Sequence, residues 1–355
     1  MKISVLLSGG VDSSVALALL KSQGYDITAY YLKIWLEDEL SFLGECPWDD
    51  DLKNARAVCE KFDVKLELLN LQKEYLDTVV EYTIRELKAG RTPSPDIFCN
   101  KQVKFGAFLK YTTHLYDKVA TGHYARIEEI NDNGVNKFLL KTAPDKVKDQ
   151  TYFLTYLNQE QLSKIWFPIG NYTKKEVRQL AEEFDLPNKN RPDSQGICFL
   201  GKIKFSDFVK FHLGEQIGDI IDIDTNKKLG NHKGYWFHTI GQRQGLGLSG
   251  GPWYVVQKDL ENNIVYVSNG NTIIEKHRNE LIVADLNWID KIPTDGTNLR
   301  IKLRHGPKVA DGNIIHLADG KLNVKMNEYD QGIARGQFAI FYDGEYCLGG
   351  GVIDN

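Results

Sequence analysis

Over roughly the first 127 residues the apolar positions change their period repeatedly. Short, β-branched apolar runs at 2–7, 27–32, 65–71 and 118–120 predict buried strands. Between them apolar residues recur at helical spacing over 15–23, 52–62, 76–89 and 103–115, with Gly24 stopping the first of these and Gly90 the third. Strands alternating with helices predict an α/β fold built on a doubly wound parallel sheet. The pattern then breaks. Asn131-Asp132-Asn133-Gly134 has the composition of a hairpin tip, and 150–211 reads as a small helical region. There Thr173 and Glu176 form a capping-box signature ahead of Val177, Leu180, Ala181 and Phe184, which share one apolar face. From about Gly218 short β-rich segments separated by Gly, Asn and Asp run to the end, as at 253–256, 264–267, 299–303 and 338–342, and predict one or two small β-barrels. The chain is thereby divided into an α/β domain over 1–150, a helical region over 151–217, a small β-rich domain over 218–280 and a C-terminal β-barrel over 281–355.

Composition narrows the class. A chain of 355 residues, 42% of them hydrophobic, has ample material for two or three packed domains. No apolar stretch approaches the length of a membrane span and the first residues lack a signal-peptide succession, so a cytoplasmic location with no membrane partner is expected. Five cysteines without a Cys-x-x-Cys pair argue against a disulfide framework and against a zinc or iron–sulfur site. The net charge of −4 argues only weakly against nucleic acid, which needs a local basic face rather than a basic average. Such a face is offered by Arg300-Ile301-Lys302-Leu303-Arg304, whose period of two would put three cations on one side of a strand, although a solvated barrel face has the same pattern.

The most informative string is Ser8-Gly9-Gly10-Val11-Asp12-Ser13-Ser14, placed between the first strand and the first helix. Paired glycines let backbone N–H groups approach a ligand, and Ser13 or Ser14 is expected to cap a helix whose N-terminus attracts anions. No lysine follows, so the string is not a Walker A loop, and it lacks the glycine spacing of dinucleotide folds. It resembles instead the PP-loop of N-type ATP pyrophosphatases, which split ATP into AMP and pyrophosphate. Ligands of open α/β sheets bind beyond the carboxyl ends of the strands, so Leu32, Lys33 and Thr121-Gly122-His123-Tyr124 should border the same crevice.

The cysteines separate into two kinds. Cys59 lies on one helical stripe with Ala55, Val58 and Phe62 and reads as core, Cys347 reads as a buried strand residue, and Cys46 is uninformative. Cys99 ends Arg91-Thr92-Pro93-Ser94-Pro95-Asp96-Ile97-Phe98-Cys99-Asn100, whose two prolines are expected to hold an irregular loop; Cys198 ends a second stretch containing Pro192 and Gly196. Thiols in such loops can ionise and act as nucleophiles, although two structural cysteines fit the placement equally well.

These strings, together with Ala120-Thr121-Gly122-His123-Tyr124, Lys148-Asp149-Gln150, Gly196-Ile197-Cys198-Phe199, His238-Thr239-Ile240-Gly241-Gln242-Arg243 and Cys347-Leu348-Gly349-Gly350-Gly351, closely resemble the tRNA-specific 2-thiouridylases in one order along nearly the whole chain. The resemblance implies ATP-dependent replacement of O2 by sulfur at the wobble uridine of tRNA. It implies that Cys198 receives sulfur as a persulfide, that Cys99 is its catalytic partner and that Asp96 is the acid/base group. Leu6, Leu7, Ser8, Gly9, Gly10, Val11, Asp12, Ser13, Leu32 and Gly122 would contact ATP, bound with Mg2+. Ser94, Pro95 and Asp96 would face the flipped base, and His123, Lys148, Asp149, Gln150, Arg304, His305 and Gln337 would touch tRNA. Two positions depart from the family, which usually has Asn at Ser94 and often Tyr at His305. A sulfur donor such as a cysteine desulfurase or a sulfur-relay protein is the second implied partner. Whether Cys99 cleaves the persulfide after attack on C2 or releases hydrosulfide beforehand is open. A PP-loop ligase or amidotransferase acting on a small molecule would need neither the paired cysteines nor RNA, and a non-enzymatic RNA-binding or sulfur-carrier protein would need no turnover.

Overall fold

The computed structural model describes residues 1–34, 48–193, 204–270 and 278–355. Strands β1 (Lys2–Leu6), β2 (Asp26–Lys33), β3 (Lys65–Asn70) and β4 (Lys118–Thr121) form a parallel sheet in the order β3-β2-β1-β4. Ile3, Ser4 and Val5 are all fully buried, because helices cover both faces of β1; a continuous apolar run, not an alternating one, is what such a strand needs. The helix Val11–Ser22 returns across the sheet and is itself enclosed. Leu17 and Leu20 pack with Ile3, Val5 and Ala29, while Val15, Ala16 and Leu19 pack with Val177, Ala181 and Leu186. Strand order reverses between β1 and β4, so the ligand crevice of this sheet lies at their carboxyl ends, where Leu6 stands in register with Thr121.

After β4 the chain leaves the sheet in a hairpin, β5 (Ala125–Asp132) and β6 (Val135–Thr142), around Asn133 and Gly134. Both turn residues have positive φ, at 53° and 86°, as an Asn-Gly turn requires. The helix Gln159–Lys164 then opens with a full capping box between Asn158 and Gln161 and leads into β7 (Ile165–Trp166), which adds to the sheet beside β4. That fifth strand was not legible in the sequence, since two residues carry no period.

Strands β8 (Gly218–Asp222), β9 (Lys228–His232), β10 (Trp253–Asp259) and β11 (Ile264–Asn269) make a four-stranded sheet around Ile220, Val255, Val265 and Val267. Strands β12 (Arg278–Trp288), β13 (Asn298–Lys302), β14 (Ala310–His316), β15 (Leu322–Asp330), β16 (Phe338–Asp343) and β17 (Tyr346–Ile353) form an antiparallel barrel, closed by pairing of β12 with β17. The first hairpin joins this barrel rather than the parallel sheet, with Leu140 opposite Cys347. One large apolar cluster therefore runs from the α/β unit into the barrel, through Cys99, Phe105, Tyr152, Phe338 and Tyr342.

Candidate active site

Gly9 has φ +75°, and a Cβ there would lie 2.2 Å from the carbonyl oxygen of Asp51, so only glycine fits. The helix begins at Val11 with Gly10 as its N-cap, four residues earlier than its apolar period indicates. Neither serine caps it, contrary to expectation. Ser13 Oγ accepts from Ser8 N (3.2 Å) and donates to Gly10 O (3.1 Å), and Ser14 Oγ donates to Gly10 O (2.9 Å), so both hydroxyls tighten the loop from inside. The first-turn N–H groups thus have neither an intrahelical acceptor nor a side-chain cap, which suits an anionic ligand. Gly122, just after β4, packs directly on this turn: a Cβ there would come 2.6 Å from Ser13 N. Leu6 and Leu7 are buried beneath the loop and Leu32 is half-buried at the end of β2.

Residues outside the glycine string hold it in shape. Asn188 is buried and donates through Nδ2 to Gly9 O (2.8 Å) and Ser14 Oγ (3.0 Å); Arg191 Nη1 donates to Gly9 O (3.0 Å) while its other terminal nitrogen pairs with Asp51. Asp12 Oδ1 accepts from Tyr124 OH (2.9 Å) and from Lys174 Nζ (2.7 Å). Lys174 Nζ also lies 2.8 Å from Asp193 Oδ1, and Asp193 binds Lys148 (2.7 Å) and Arg178 as well. Burial alone would raise the Asp193 carboxyl, yet its bonds to Lys148 and Lys174 outweigh burial and hold it well below the usual carboxylate range. Burial, then Asp12, pushes the Tyr124 hydroxyl far up, so it stays a donor.

The Cys99 segment corrects an expectation. Ser94 precedes a helix, Pro95–Phe98, which continues through a π-helical stretch, Cys99–Ala107, into Phe108–Thr112. Pro95 starts this helix instead of breaking it, because a proline in the first turn lacks only an N–H that would have had no intrahelical acceptor. Asp96 lies in that first turn, and Cys99, 1% exposed, opens the π stretch. π turns re-aim side chains and recur at functional sites. Ser94 N donates to Tyr82 OH (3.2 Å), and Phe98 packs against Tyr82 at 4.1 Å between ring centroids and against Phe338 of β16. Cys198 falls within 194–203, outside the described residues. Cys59 and Cys347 are core residues as expected, with thiols pushed up by burial to about 11 and about 12.

The barrel closes the far side. Thr92 N donates to Arg335 O (2.8 Å), which brings the residues before Gln337 against 91–92. His305 stacks on Phe153 at 4.8 Å between centroids, its Nε2 is 3.2 Å from Asp149 O, and Asp96 is close enough to act on its charge; burial is the main cause that lowers its pKa. His123 bonds Thr121 Oγ1 through Nδ1 (2.7 Å), and burial, with Lys104 beside it, holds the ring neutral. Gln150 Oε1 accepts from Tyr124 N (3.0 Å).

Two expected RNA contacts are not available in this form. Asp149 is buried, accepts from Ala143 N (3.1 Å) and Thr151 Oγ1 (2.8 Å), and pairs with Lys302 at 3.0 Å. Lys302 is equally enclosed, because its face of the barrel packs on the 143–151 segment and the buried carboxylate needs a counter-charge. The two-residue alternation along β13 ends there. Arg300 and Arg304 remain at the surface, the latter paired with Asp330 beside Lys308. Lys174, Asn188, Arg191 and Asp193 were not anticipated as site residues. The Thr173–Glu176 capping box was the sequence signal that placed Lys174 at a helix start, but not against a loop 162 positions earlier.

Residues 1–202 match the tRNA methyl transferase HUP domain family, 206–269 the tRNA methyl transferase PRC-barrel domain and 278–353 the aminomethyltransferase beta-barrel domain. The tRNA-specific 2-thiouridylase MnmA of Parabacteroides distasonis is 45% identical over 359 residues, covering 99% of each chain. The tRNA-specific 2-thiouridylase MnmA 1 of Bacteroides thetaiotaomicron is 46% identical over 359 residues, again with 99% of each chain covered. Among solved structures, a 4-thiouridine synthetase in complex with RNA and bound ATP matches 60% of this chain and 50% of its own at 16% identity and a TM-score of 0.35, a likeness too distant to bear on function. The fold and the glycine loop accord with the full-length identity to these relatives, and the chain belongs to the tRNA-specific 2-thiouridylase family.

Proposed function

We propose that this protein is a cytoplasmic tRNA-uridine 2-sulfurtransferase, replacing O2 of the wobble uridine of tRNA by sulfur at the expense of ATP. The observation that carries this reading is a lysine-free glycine loop at the switch point of the sheet, whose leading strand shares one apolar cluster, through Leu6, with Ile97 and Cys99 of the segment bearing Asp96 and with Phe338 of the barrel. Uracil O2 is a poor leaving group, and adenylation converts it into AMP. In this step O2 bonds the α-phosphorus, the anhydride to the β-phosphate breaks, and its electron pair leaves on pyrophosphate, while Asp96 takes the N3 proton. Mg2+ would accompany the triphosphate, since it binds through phosphates and one or two carboxylates, and Asp12 stands at the loop.

Sulfur then arrives as the persulfide on Cys198, loaded by a cysteine desulfurase or a relay protein. Its terminal sulfur attacks C2, and AMP departs with the original oxygen. Cys99, as thiolate, attacks Cys198 Sγ; the S–S bond breaks with its electron pair remaining on the sulfur at C2, which becomes the thiocarbonyl. Release of hydrosulfide by the same thiol before attack ends in the same disulfide, which an external thiol reopens. The target base must leave its stack, which costs little in a single-stranded anticodon loop. Ser94 and Pro95 border the place it would occupy, with Lys148, Gln150, His123, His305, Arg304 and Gln337 around the approach. Asp149 would act through Lys302 and the position of its neighbours.

The test is product analysis. AMP and pyrophosphate should form only when tRNA is added; AMP formed without RNA would point to a small-molecule ligase, and ADP with phosphate would refute the adenylation step.

A further inference from the structure

Cys99 opens a π-helical stretch, a rare and wide form of helix, and a side chain from another element holds that stretch by its backbone. Gln161 Nε2 donates to Lys101 O at 3.1 Å and to Phe105 O at 2.7 Å. The same amide closes the capping box of the helix Gln159–Lys164, where Gln161 Oε1 accepts from Asn158 N at 3.1 Å and Asn158 Oδ1 accepts from Gln161 N at 2.8 Å. A capping box alone asks only for an acceptor, and glutamate serves it as well as glutamine. The two donated bonds are what require an amide. Gly106 lies five residues after Lys101, the spacing that closes a π turn, and a Cβ there would come 2.7 Å from Lys101 O.

We propose that Gln161 is a positioning residue for Cys99, holding the π register of Cys99–Ala107 and with it the direction from which the Cys99 thiol attacks. This deepens the sulfur-transfer reading above and rests on it. Val103, Phe105 and Phe108 anchor the far end of the segment in the cluster that joins the α/β unit to the barrel. With that end fixed, relaxation from π to α would turn what precedes it, Asp96 and Cys99, by roughly the 100° that one residue occupies on an α-helix. Asn100, whose Nδ2 donates to Phe153 O at 3.1 Å, and Lys101, whose ammonium lies 4.8 Å over the Tyr156 ring, would lose their contacts in the same turn. Gln161 acts on the thiol only through the backbone of this segment.

The experiment uses two variants of the full-length chain that take the arrangement apart. Gln161→Glu keeps an acceptor for Asn158 N but sets a carboxylate against two carbonyls, whereas Asn158→Ala weakens the cap and leaves both donors of Gln161 in place. Thiolation by protein preloaded with persulfide is followed over a range of tRNA concentrations. Gln161→Glu should lower the maximal rate about ten- to a hundredfold with the half-saturating tRNA concentration within about twofold, because the attacking group is misplaced while binding is not. Asn158→Ala should lower the midpoint of denaturant unfolding and keep the rate within about twofold. Alkylation of Cys99 by iodoacetamide, read on its own peptide by mass spectrometry, should change at least about threefold in Gln161→Glu and hold in Asn158→Ala, since thiol reactivity follows access and surroundings. Gly106→Ala must push Lys101 O aside and should act like Gln161→Glu; it decides the question if Gln161→Glu does not fold. An unchanged maximal rate in either folded variant, or equal losses in Gln161→Glu and Asn158→Ala, would overturn the proposal and leave Gln161 a helix cap. Absence of 2-thiouridine from the unaltered protein would strike instead at the thiolation reading, and the alkylation rates would then decide the role of Gln161.

Discussion

Lys302 of the barrel meets Asp149 of the segment after the first hairpin at 3.0 Å, with side chains 7% and 2% exposed. The pair ties together elements 153 positions apart. Asp149 is followed in the chain by Gln150, which accepts from Tyr124 N, and Tyr124 OH donates to Asp12, so the barrel is connected to the phosphate loop through these residues. Removing one partner of such a pair leaves a buried charge uncompensated. Lys302→Met should therefore cost about 3–5 kcal/mol of stability in denaturant unfolding, and Lys302→Met combined with Asp149→Asn should recover a substantial part. Additive losses in the double variant would show that the pair is not coupled.

Lys302 ends β13 and Arg304 lies just beyond it, and the two should differ in RNA binding. Arg304 is at the surface, so Arg304→Gln should weaken tRNA binding and reduce the slope of log K against log salt by about one unit. Lys302→Met should leave that slope unchanged wherever the variant is folded. Filter binding over a salt series reads both.

Gly122→Ala would put a Cβ 2.6 Å from Ser13 N, a contact with backbone that a rotamer change cannot relieve. The loop must shift, and adenylation should fall by about a hundredfold or more, since an error near 1 Å at a reacting centre has that effect. Affinity for tRNA, measured without nucleotide, should hold. A Gly122→Ala protein with normal AMP formation would remove Gly122 from the ATP site.

Stability should also depend on pH through His238. Burial first, then His232 and Lys258, lower its pKa from 6.5 to about 4. Between those values the unfolded chain binds a proton that the folded chain refuses, so stability is full above pH 6.5, falls as the pH drops toward 4 and levels off below it. The contribution is up to about 3 kcal/mol. His238→Gln should flatten that part of the stability profile, with His232, also lowered by burial, accounting for what slope remains.

Much of the fold was readable because its signals are periodic. The buried run of β1, the strand β2, the hairpin at Asn133-Gly134 and the capping box at Thr173 appear where the pattern puts them. What could not be read depends on contacts distant in sequence. Lys302 sits in an alternating strand and looks solvated; only the approach of Asp149 explains its burial. The Pro93-Ser94-Pro95 string looks like a loop, yet Pro95 opens a helix because the packing of Ile97, Cys99 and Phe98 beneath the barrel rewards one. Lys174 lies far from the glycine string, and its pairing with Asp12 arises only because two helices pack side by side.

The most direct test of the account is single-turnover thiolation of unmodified tRNA with ATP and protein preloaded with isotopically labelled persulfide, followed by mass spectrometry of the nucleosides. The unaltered protein should place one labelled sulfur in 2-thiouridine at the wobble position for each AMP released. Cys198→Ser should lose the persulfide; Cys99→Ser should carry it but fail to deliver it, and both should keep tRNA affinity. Full labelled 2-thiouridine from Cys99→Ser, or tRNA that remains unlabelled while AMP accumulates with the unaltered protein, would contradict the account.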